Sequence, residues 1–405
     1  MFASDGARGE NSANPGRRVT IGHLVGPYPT PGIAPDIGPR GTSRPDSRML
    51  RAALIGFPSV GKTTLFQLMT SSADVRDGSW RTEAHVGVAR VPEPRLDRLV
   101  ELVQPKKRVP ATVELAEMAG HGGTRSLLDI AAFRDADALL HVVRWFRDER
   151  VPHASGNVDS ERDARTMEEE LILADLGVAE RRLERLDQDL KKRPDDGLRA
   201  EQAVLTECQA ALEAGTPLRR LSLDAPAAKR LLGFQFLSAK PLLVVNNLDE
   251  DDLPDGLAGA ASALETVLAE AGAQAVGVCA KIELEIAQLD EEAASAFSAD
   301  LGLAESGLDR IIRASYELLG YISFFTVGEQ ECRAWTVPRG TVAQDAAGEI
   351  HTDLSRGFIR AEVVPFTDFI EHGSLAACRE HGRMRLEGKD YVVRDGDIIT
   401  YRFAT

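Results

Sequence analysis

Residues 56–63 have the types and spacing of a phosphate-binding loop. They read Gly-Phe-Pro-Ser-Val-Gly-Lys-Thr and match the pattern G-x-x-x-x-G-K-[ST] at every fixed position. Glycines permit backbone dihedrals that are closed to other residues, so successive N–H groups can point into one concavity and hold phosphate oxygens. Lys62 would reach the β- and γ-phosphates, and the Thr63 hydroxyl would bind Mg²⁺. The predicted nucleotide contacts of this loop are Ser59, Val60, Gly61, Lys62, Thr63 and Thr64.

The flanking segments supply the elements that such a loop needs. An apolar run at residues 52–55 predicts a buried strand before the loop, and residues 64–69 predict the opening of a helix after it. A helix N-terminus adds unpaired N–H groups and a positive partial charge. The strand–loop–helix context makes a plain glycine turn a poor alternative.

The composition limits the class of protein. A net charge of −15 argues against a protein that coats nucleic acid through bulk charge, although a local basic face such as residues 106–108 could contact RNA or simply be solvated. The four cysteines form no C-x-x-C pair, which is typical of reduced thiols in a cytosolic protein. No signal peptide and no membrane-spanning run is recognised, so we expect a cytoplasmic protein that does not bind membranes.

The pattern along the chain predicts several regions. Residues 1–48 contain seven prolines and little apolar surface, so we expect a disordered extension. Residues 49–150 and 236–318 alternate strands with helices, which predicts an α/β domain with a largely parallel sheet and helices on both faces. Its predicted strands after the loop are residues 86–91, 112–116, 139–143, 241–245 and 275–279, and its further helices are residues 126–137 and 308–319.

Residues 151–235 predict an antiparallel helical hairpin inserted into that domain. Apolar residues are spaced three and four apart, as in the seam of a coiled coil, at Leu176, Ala179, Leu183, Leu186 and Leu190. Residues 193–197 break the helix, and apolar residues with similar spacing follow on a second helix. Residues 319–405 predict a small α+β domain. Its predicted strands are residues 334–337, 357–363, 391–393 and 398–403, and its one predicted helix is residues 366–372.

Polar residues follow two of the predicted strands. Residues 246–250 read Asn-Asn-Leu-Asp-Glu, and residues 280–281 read Ala-Lys. An open α/β sheet binds its ligand beyond the carboxyl ends of its strands, so both segments are candidates for recognising a nucleotide base. The alternative interpretation is a pair of ordinary strand-to-helix turns.

Together these features resemble the YchF-type subfamily of Obg-related P-loop NTPases. The resemblance runs from about Leu50 to the C-terminus and includes residues 105–114, 170–176 and 305–310. The C-terminal module, with residues 385–393 near its end, looks like the β-grasp TGS domain of that family. The resemblance implies a monomeric NTP-hydrolysing switch that prefers ATP to GTP, uses Mg²⁺, and associates with the ribosome (large subunit) or RNA.

The resemblance also implies roles for the two polar segments. The family's Asn-x-x-Glu aligns with Asn247 and Glu250, but Asn246 and Asp249 offer a second frame, and the sequence leaves both open. The implied base contacts in the family's frame are Asn247, Leu248, Glu250, Ala280 and Lys281.

The catalytic side departs from the family. Glu117 stands where the family has the Asp that supports Mg²⁺. His121 replaces a hydrophobic residue, so it could orient the attacking water or be a solvated loop histidine. Ser59 replaces the usual Asn, so potassium stimulation is not expected. Thr82 is the candidate metal ligand of the first switch, although a collinear alignment places Arg81 there.

Two functions therefore stay open at this stage. The first is a divergent ATPase/GTPase in which Lys62, Thr63, Glu117 and His121 carry hydrolysis. The alternative is a nucleotide-gated ribosome or RNA adaptor whose hydrolysis is weak or lost. Nucleotide hydrolysis that is abolished in the Lys62→Ala variant would favour the first function. Tight nucleotide binding without hydrolysis would favour the second.

Overall fold

A computed structural model describes residues 50–70, 76–77, 84–118, 133–253, 255–257, 259, 264–303 and 305–404. All of these lie in one unit of the chain, Ile37–Thr405. The predicted extension, Thr82 and His121 lie outside the described residues.

Strands between residues 50 and 278 build a seven-stranded sheet. Its strands are β1 (Leu50–Ile55), β2 (Arg76–Asp77), β3 (Ala84–Arg90), β5 (Thr112–Met118), β6 (Ala138–Arg144), β7 (Leu242–Asn247) and β8 (Gln274–Val278). The spatial order is β2-β3-β5-β1-β6-β7-β8, and every pair from β5 to β8 is parallel, whereas β2 and β3 are antiparallel to their neighbours. The predicted, largely parallel sheet is confirmed.

Helices cover both faces of this sheet, as its composition requires. Every residue of β6 and β7 is buried, which is typical of central parallel strands. Helix α1 (Lys62–Met69) packs on one face together with α9 (Gly307–Leu318), through side chains that include Leu65 and Ile311. Helix α3 (Ser160–Lys192) packs on the other face through Met167 and Leu171.

Apart from the hairpin described below, the other helices before the C-terminal sheet are short. They are α2 (Pro94–Val103), α5 (Ala225–Leu231), α6 (Glu265–Ala271), α7 (Ala280–Ile286) and α8 (Glu291–Asp300). The helix expected at residues 126–137 lies mostly outside the described residues. Where it is described, residues 133–135 form one 3-10 turn, after which the Asp137 N–H donates to Arg51 O and β6 begins.

The predicted hairpin is present as α3 and α4 (Asp196–Glu213). Each helix begins at an aspartate whose carboxylate accepts a main-chain N–H, Asp159 from Arg162 and Asp195 from Leu198. The seam between them is apolar. It is formed by the buried residues Ala179, Leu186, Leu205, Cys208 and Leu212.

The C-terminal part forms a six-stranded sheet, in the order β12-β11-β13-β9-β10-β4. Its strands are β4 (Lys107–Val109), β9 (Tyr321–Val327), β10 (Glu331–Pro338), β11 (Phe358–Pro365), β12 (Arg385–Glu387) and β13 (Asp397–Phe403). Its helices are α10 (Ala343–Ile350), α11 (Thr352–Arg356), α12 (Phe366–His372) and α13 (Leu375–Glu380). The helix predicted at residues 366–372 is confirmed.

Two expectations for this part were wrong. Residues 391–393 form a single bridge between Val342 and Val392 instead of a strand, because the Tyr391 N–H bonds locally to Gly388 O. Three of its four helices were missed. In α10 the buried stripe consists of Ala343, Ala346 and Ala347, which are too small to give a clear apolar period.

Candidate functional site

The phosphate loop connects β1 to α1 and lies against the ends of two neighbouring strands. Gly56 has φ +143° and Gly61 has φ +100°, and Ser59 also has a positive φ of 62°. A Cβ on Gly56 would lie 2.4 Å from Val142 O, and one on Gly61 would lie 2.3 Å from Asn247 Nδ2. Both glycines are therefore required by close approach as well as by backbone conformation.

The Lys62 ammonium lies over this loop. Its Nζ donates to Phe57 O at 2.7 Å and to Gly56 O at 3.0 Å. Burial lowers the pKa of Lys62, and the nearby Glu117 carboxylate opposes that effect. A phosphate group entering the loop would give this desolvated cation an anionic partner, so the arrangement favours binding of phosphate.

Thr63 and Glu117, two of the predicted metal ligands, meet beside the phosphate loop. The Thr63 hydroxyl donates to Glu117 Oε1 at 2.5 Å. Glu117 is 2% exposed near the end of β5, and its neighbour in the sheet is Leu54 of β1, which leads directly into the loop. A hydroxyl and a carboxylate are the oxygen ligands that Mg²⁺ prefers, so the residues fit this ion. The structure thus brings together two of the three predicted metal ligands, and Thr82 lies outside the described residues.

Asn247 joins the phosphate loop to the predicted base-recognition segment. Its Nδ2 donates to Val60 O at 3.0 Å, and its Oδ1 accepts the Ala280 N–H at 3.0 Å. Asn246 is fully buried, and alternation along β7 directs the two asparagine side chains to opposite faces. Of the two frames that the sequence left open, the geometry therefore favours the one that begins at Asn247.

Asp249 and Glu250 have different surroundings. Asp249 accepts main-chain N–H groups from Glu250 at 2.9 Å and from Arg147 at 3.2 Å, so it stabilises a turn. Glu250 is exposed and forms an ion pair of 2.7 Å with Lys281, whose pKa is raised by this carboxylate. Glu250 and Lys281, which follow two neighbouring strands, are thus adjacent.

Two predicted contact residues turn their side chains away from the site. Val60 and Leu248 are 1% and 2% exposed and pack in hydrophobic clusters. Only their main-chain atoms take part in the local geometry, since Val60 O accepts from Asn247 and the Leu248 N–H donates to Val278 O. Ser59 and Thr63 are exposed, and Thr64 is half-buried.

One neighbouring residue was missed by the sequence reasoning. Arg144 ends β6 and is 2% exposed. The next two residues, Trp145 and Phe146, donate their main-chain N–H groups to Asn247 O at 2.9 and 3.0 Å. The available signal was a single charged residue at the end of the otherwise uncharged strand Ala-Leu-Leu-His-Val-Val-Arg.

The parallel sheet, the loop between β1 and α1, and the asparagine that joins that loop to β8 and α7 define a P-loop NTPase. A curated relative from Bacillus subtilis (strain 168), named "Ribosome-binding ATPase YchF", is 41% identical in an alignment of 364 residues that covers 87% of this chain and 99% of the relative. A relative of the same name from Escherichia coli O157:H7 is 39% identical with the same coverage.

The solved structure of the Schizosaccharomyces pombe YchF GTPase covers 87% of this chain and 97% of its own, with a TM-score of 0.75 and 29% identity. Residues 321–404 match the family model YchF-GTPase_C, described as a protein of unknown function (DUF933). This chain therefore belongs to the YchF family, and the resemblance is confirmed. Within the described residues, no helix has the length and apolar character needed to cross a bilayer.

Proposed function

We propose that this protein binds and hydrolyses ATP with Mg²⁺ and acts as a nucleotide-dependent switch on the ribosome. Relatives named ribosome-binding ATPases match it along nearly their whole length. The observation that carries the nucleotide preference is the Asn247 side chain. Its hydrogen bonds to Val60 O and the Ala280 N–H support the frame that ends at Glu250.

The charges around this frame favour adenine over guanine. Guanine presents N1–H and N2–H₂ donors, which need a carboxylate that can accept both. The Asp249 oxygens already accept two main-chain N–H groups, and Glu250 is held by the Lys281 ammonium, which only donates. Adenine carries neither of these two donors, so it needs no free carboxylate at this place, and ATP is the expected ligand.

The phosphate end of the site would support hydrolysis by positioning the phosphates and stabilising their charge. Phosphoryl transfer needs little covalent participation by the protein. The loop N–H groups and Lys62 would stabilise the charge on the transferred phosphoryl group. Thr63 and Glu117 would hold Mg²⁺, which when bound neutralises part of the phosphate charge. We also propose that Thr82 completes the metal site and that His121 orients the attacking water.

The partner follows from the relatives' name and the family resemblance. We propose that the chain works as a monomer in the cytoplasm, where ribosomes are found, and that it contacts the large subunit or its RNA. Since the net charge is −15, such contact must use local surfaces and not bulk attraction. Co-sedimentation with separated subunits, with ATP or ADP present, tests this part.

Calorimetry with Mg–ATP and Mg–GTP, followed by steady-state hydrolysis, tests the nucleotide chemistry. We expect tighter ATP binding, and a loss of turnover of about a hundredfold or more in Lys62→Ala, because that variant removes a principal phosphate-binding charge. His121→Ala should lower turnover with little change in affinity. Tighter GTP binding would overturn the ATP preference. Tight binding without turnover in the natural protein would overturn hydrolysis and leave the adaptor.

A further inference from the structure

Arg144 organises the loop that follows β6. Its Nε donates to Phe146 O at 3.1 Å, its Nη2 to Asp148 O at 3.1 Å and its Nη1 to Val151 O at 2.8 Å. Its guanidinium carbon also lies 4.4 Å from the centre of the Phe146 ring. One side chain thus fixes three carbonyl groups within residues 146–151.

This arginine is more than a surface charge. It is 2% exposed, and among the residues described no carboxylate forms an ion pair with it. Burying a cation is costly, and here main-chain carbonyl dipoles and the face of the Phe146 ring compensate for the lost hydration. A lysine carries the same charge, but its three N–H donors share one nitrogen, whereas the planar guanidinium donates to the three carbonyl groups from three separate nitrogens. The position therefore requires the geometry of arginine.

The loop held by Arg144 is bonded to the base-recognition segment. The main-chain N–H groups of Trp145 and Phe146 donate to Asn247 O, and the Arg147 N–H donates to Asp249 Oδ2 at 3.2 Å. Asn247 in turn holds Val60 of the phosphate loop and Ala280 of α7. A continuous set of hydrogen bonds therefore connects Arg144 to the residues on both sides of the proposed base site.

We propose that Arg144 is a positioning residue for the nucleotide base: by holding residues 146–151, it fixes the segment from Asn247 to Glu250 in the conformation that binds adenine. This inference rests on the proposed function, because it assigns a role within that nucleotide site. Its specific consequence is that Arg144 contributes to binding of the base and not to binding of the phosphates, which contact the loop at residues 56–63.

The test compares two ligands by calorimetry, Mg–ATP and Mg–tripolyphosphate, on the full chain. In Arg144→Lys we expect ATP affinity to fall by about tenfold while tripolyphosphate affinity stays within about twofold. Asp249→Ala breaks the same connection from its other side at a half-buried residue, and it should give the same split. Arg150→Lys is the matched control, because Arg150 lies in the same loop with 89% of its side chain exposed.

The outcomes separate this inference from the proposed function. If the natural protein binds ATP but Arg144→Lys and Asp249→Ala weaken both ligands equally, Arg144 has only a general structural role and the inference is wrong. It is also wrong if neither variant changes ATP affinity. If the natural protein binds GTP more tightly, the ATP proposal fails, and the same comparison with GTP still tests Arg144. The tripolyphosphate stoichiometry reports the folded fraction of each variant.

Discussion

At the scale of single residues, the proposed metal site depends on the length of the Glu117 side chain. Its carboxylate lies 2.5 Å from the Thr63 hydroxyl. Glu117→Asp withdraws the carboxylate by one methylene, about 1.5 Å, so we predict a several-fold rise in the Mg²⁺ concentration needed for half-maximal ATP hydrolysis. Glu117→Gln keeps the length but removes the charge and should impair the protein more. A Mg²⁺ titration of each variant measures this, and an unchanged Mg²⁺ requirement in Glu117→Asp would falsify the metal assignment.

The two ends of the nucleotide site differ in how far the sequence predicts them. The phosphate loop was predictable because its glycines are imposed by positive φ and close approach, which few other sequences satisfy. The base end was not predictable, since Asn246 and Asn247 are chemically identical neighbours. They differ only in the face of the sheet to which their side chains point. Arg144 could not be predicted either, because its partners are carbonyl groups, which every residue carries.

At the scale of elements, a buried ion pair attaches the base of the hairpin to the sheet domain. Arg219 Nη1 lies 2.8 Å from Glu168 Oε1 of α3, and its guanidinium also donates to Lys240 O and Ala271 O. Burial raises the pKa of Glu168, although Arg219 lowers it in part. Removing the arginine would leave a buried carboxylate without its cation.

We therefore predict that Arg219→Met lowers the free energy of unfolding by about 3–5 kcal/mol at neutral pH. The loss should shrink as the pH falls, because protonation of Glu168 removes the unpaired charge. Urea unfolding at two pH values measures both effects. Arg199→Met, at an exposed pair with Asp196, is the control and should change stability by less than about 0.5 kcal/mol. An equal loss of unfolding free energy in the two variants would show that the buried pair stabilises the protein no more than an exposed pair does.

A second buried carboxylate joins α7 to the start of α9. Glu283 is 4% exposed and accepts the Gly307 N–H at 2.6 Å and the Ser306 hydroxyl at 3.0 Å. Burial raises its pKa above the ordinary value of 4.5, although the Gly307 bond opposes this. Because the folded state holds this proton more tightly, the resulting stabilisation is complete below pH 4.5 and is lost as the pH rises through the raised pKa.

Glu283→Gln cannot titrate, so its stability relative to the natural protein should improve as the pH rises from 5 to 8. Unfolding free energies of both proteins across this range provide the measurement. Parallel pH curves would mean that Glu283 has the same pKa in the folded and unfolded chains. The change is relevant to the site, because α7 begins at Ala280, whose N–H is held by Asn247.

At the scale of the whole molecule, the sequence predicted the order of the parts better than their connections. The hairpin followed from its apolar period, because a seam of this length has few alternatives. The pairing of β4 with β10 did not, since Lys-Arg-Val is short, mostly charged and far from its partner in sequence. The boundaries assigned to the C-terminal domain stay a proposal, but its sheet includes this strand from the first half of the chain.

The two sheets are connected by apolar contacts and ion pairs as well as by strand pairing. One hydrophobic cluster contains Leu96 and Leu99 of α2 together with Phe325 and Ile398 of the C-terminal sheet. Arg95 at the start of α2 lies 2.7 Å from both Glu93 and Asp395, and Asp395 also accepts the Ser323 N–H. Because core and charges are shared, we expect the two sheets to unfold together.

Arg95→Met tests this expectation, because it removes a cation that two acidic residues share across the connection. We predict one calorimetric unfolding transition for the natural chain and for the variant, with the variant less stable by about 1–3 kcal/mol. The matched control on the same helix is Arg98→Met, since Arg98 is 61% exposed and, among the described residues, pairs with Glu101 alone. Two separate transitions, with only one shifted in Arg95→Met, would instead mean that the C-terminal sheet is an independent module.

A single shifted transition would mean that a ligand stabilising the phosphate loop also stabilises the C-terminal sheet, since binding to one part of a cooperative unit stabilises the whole.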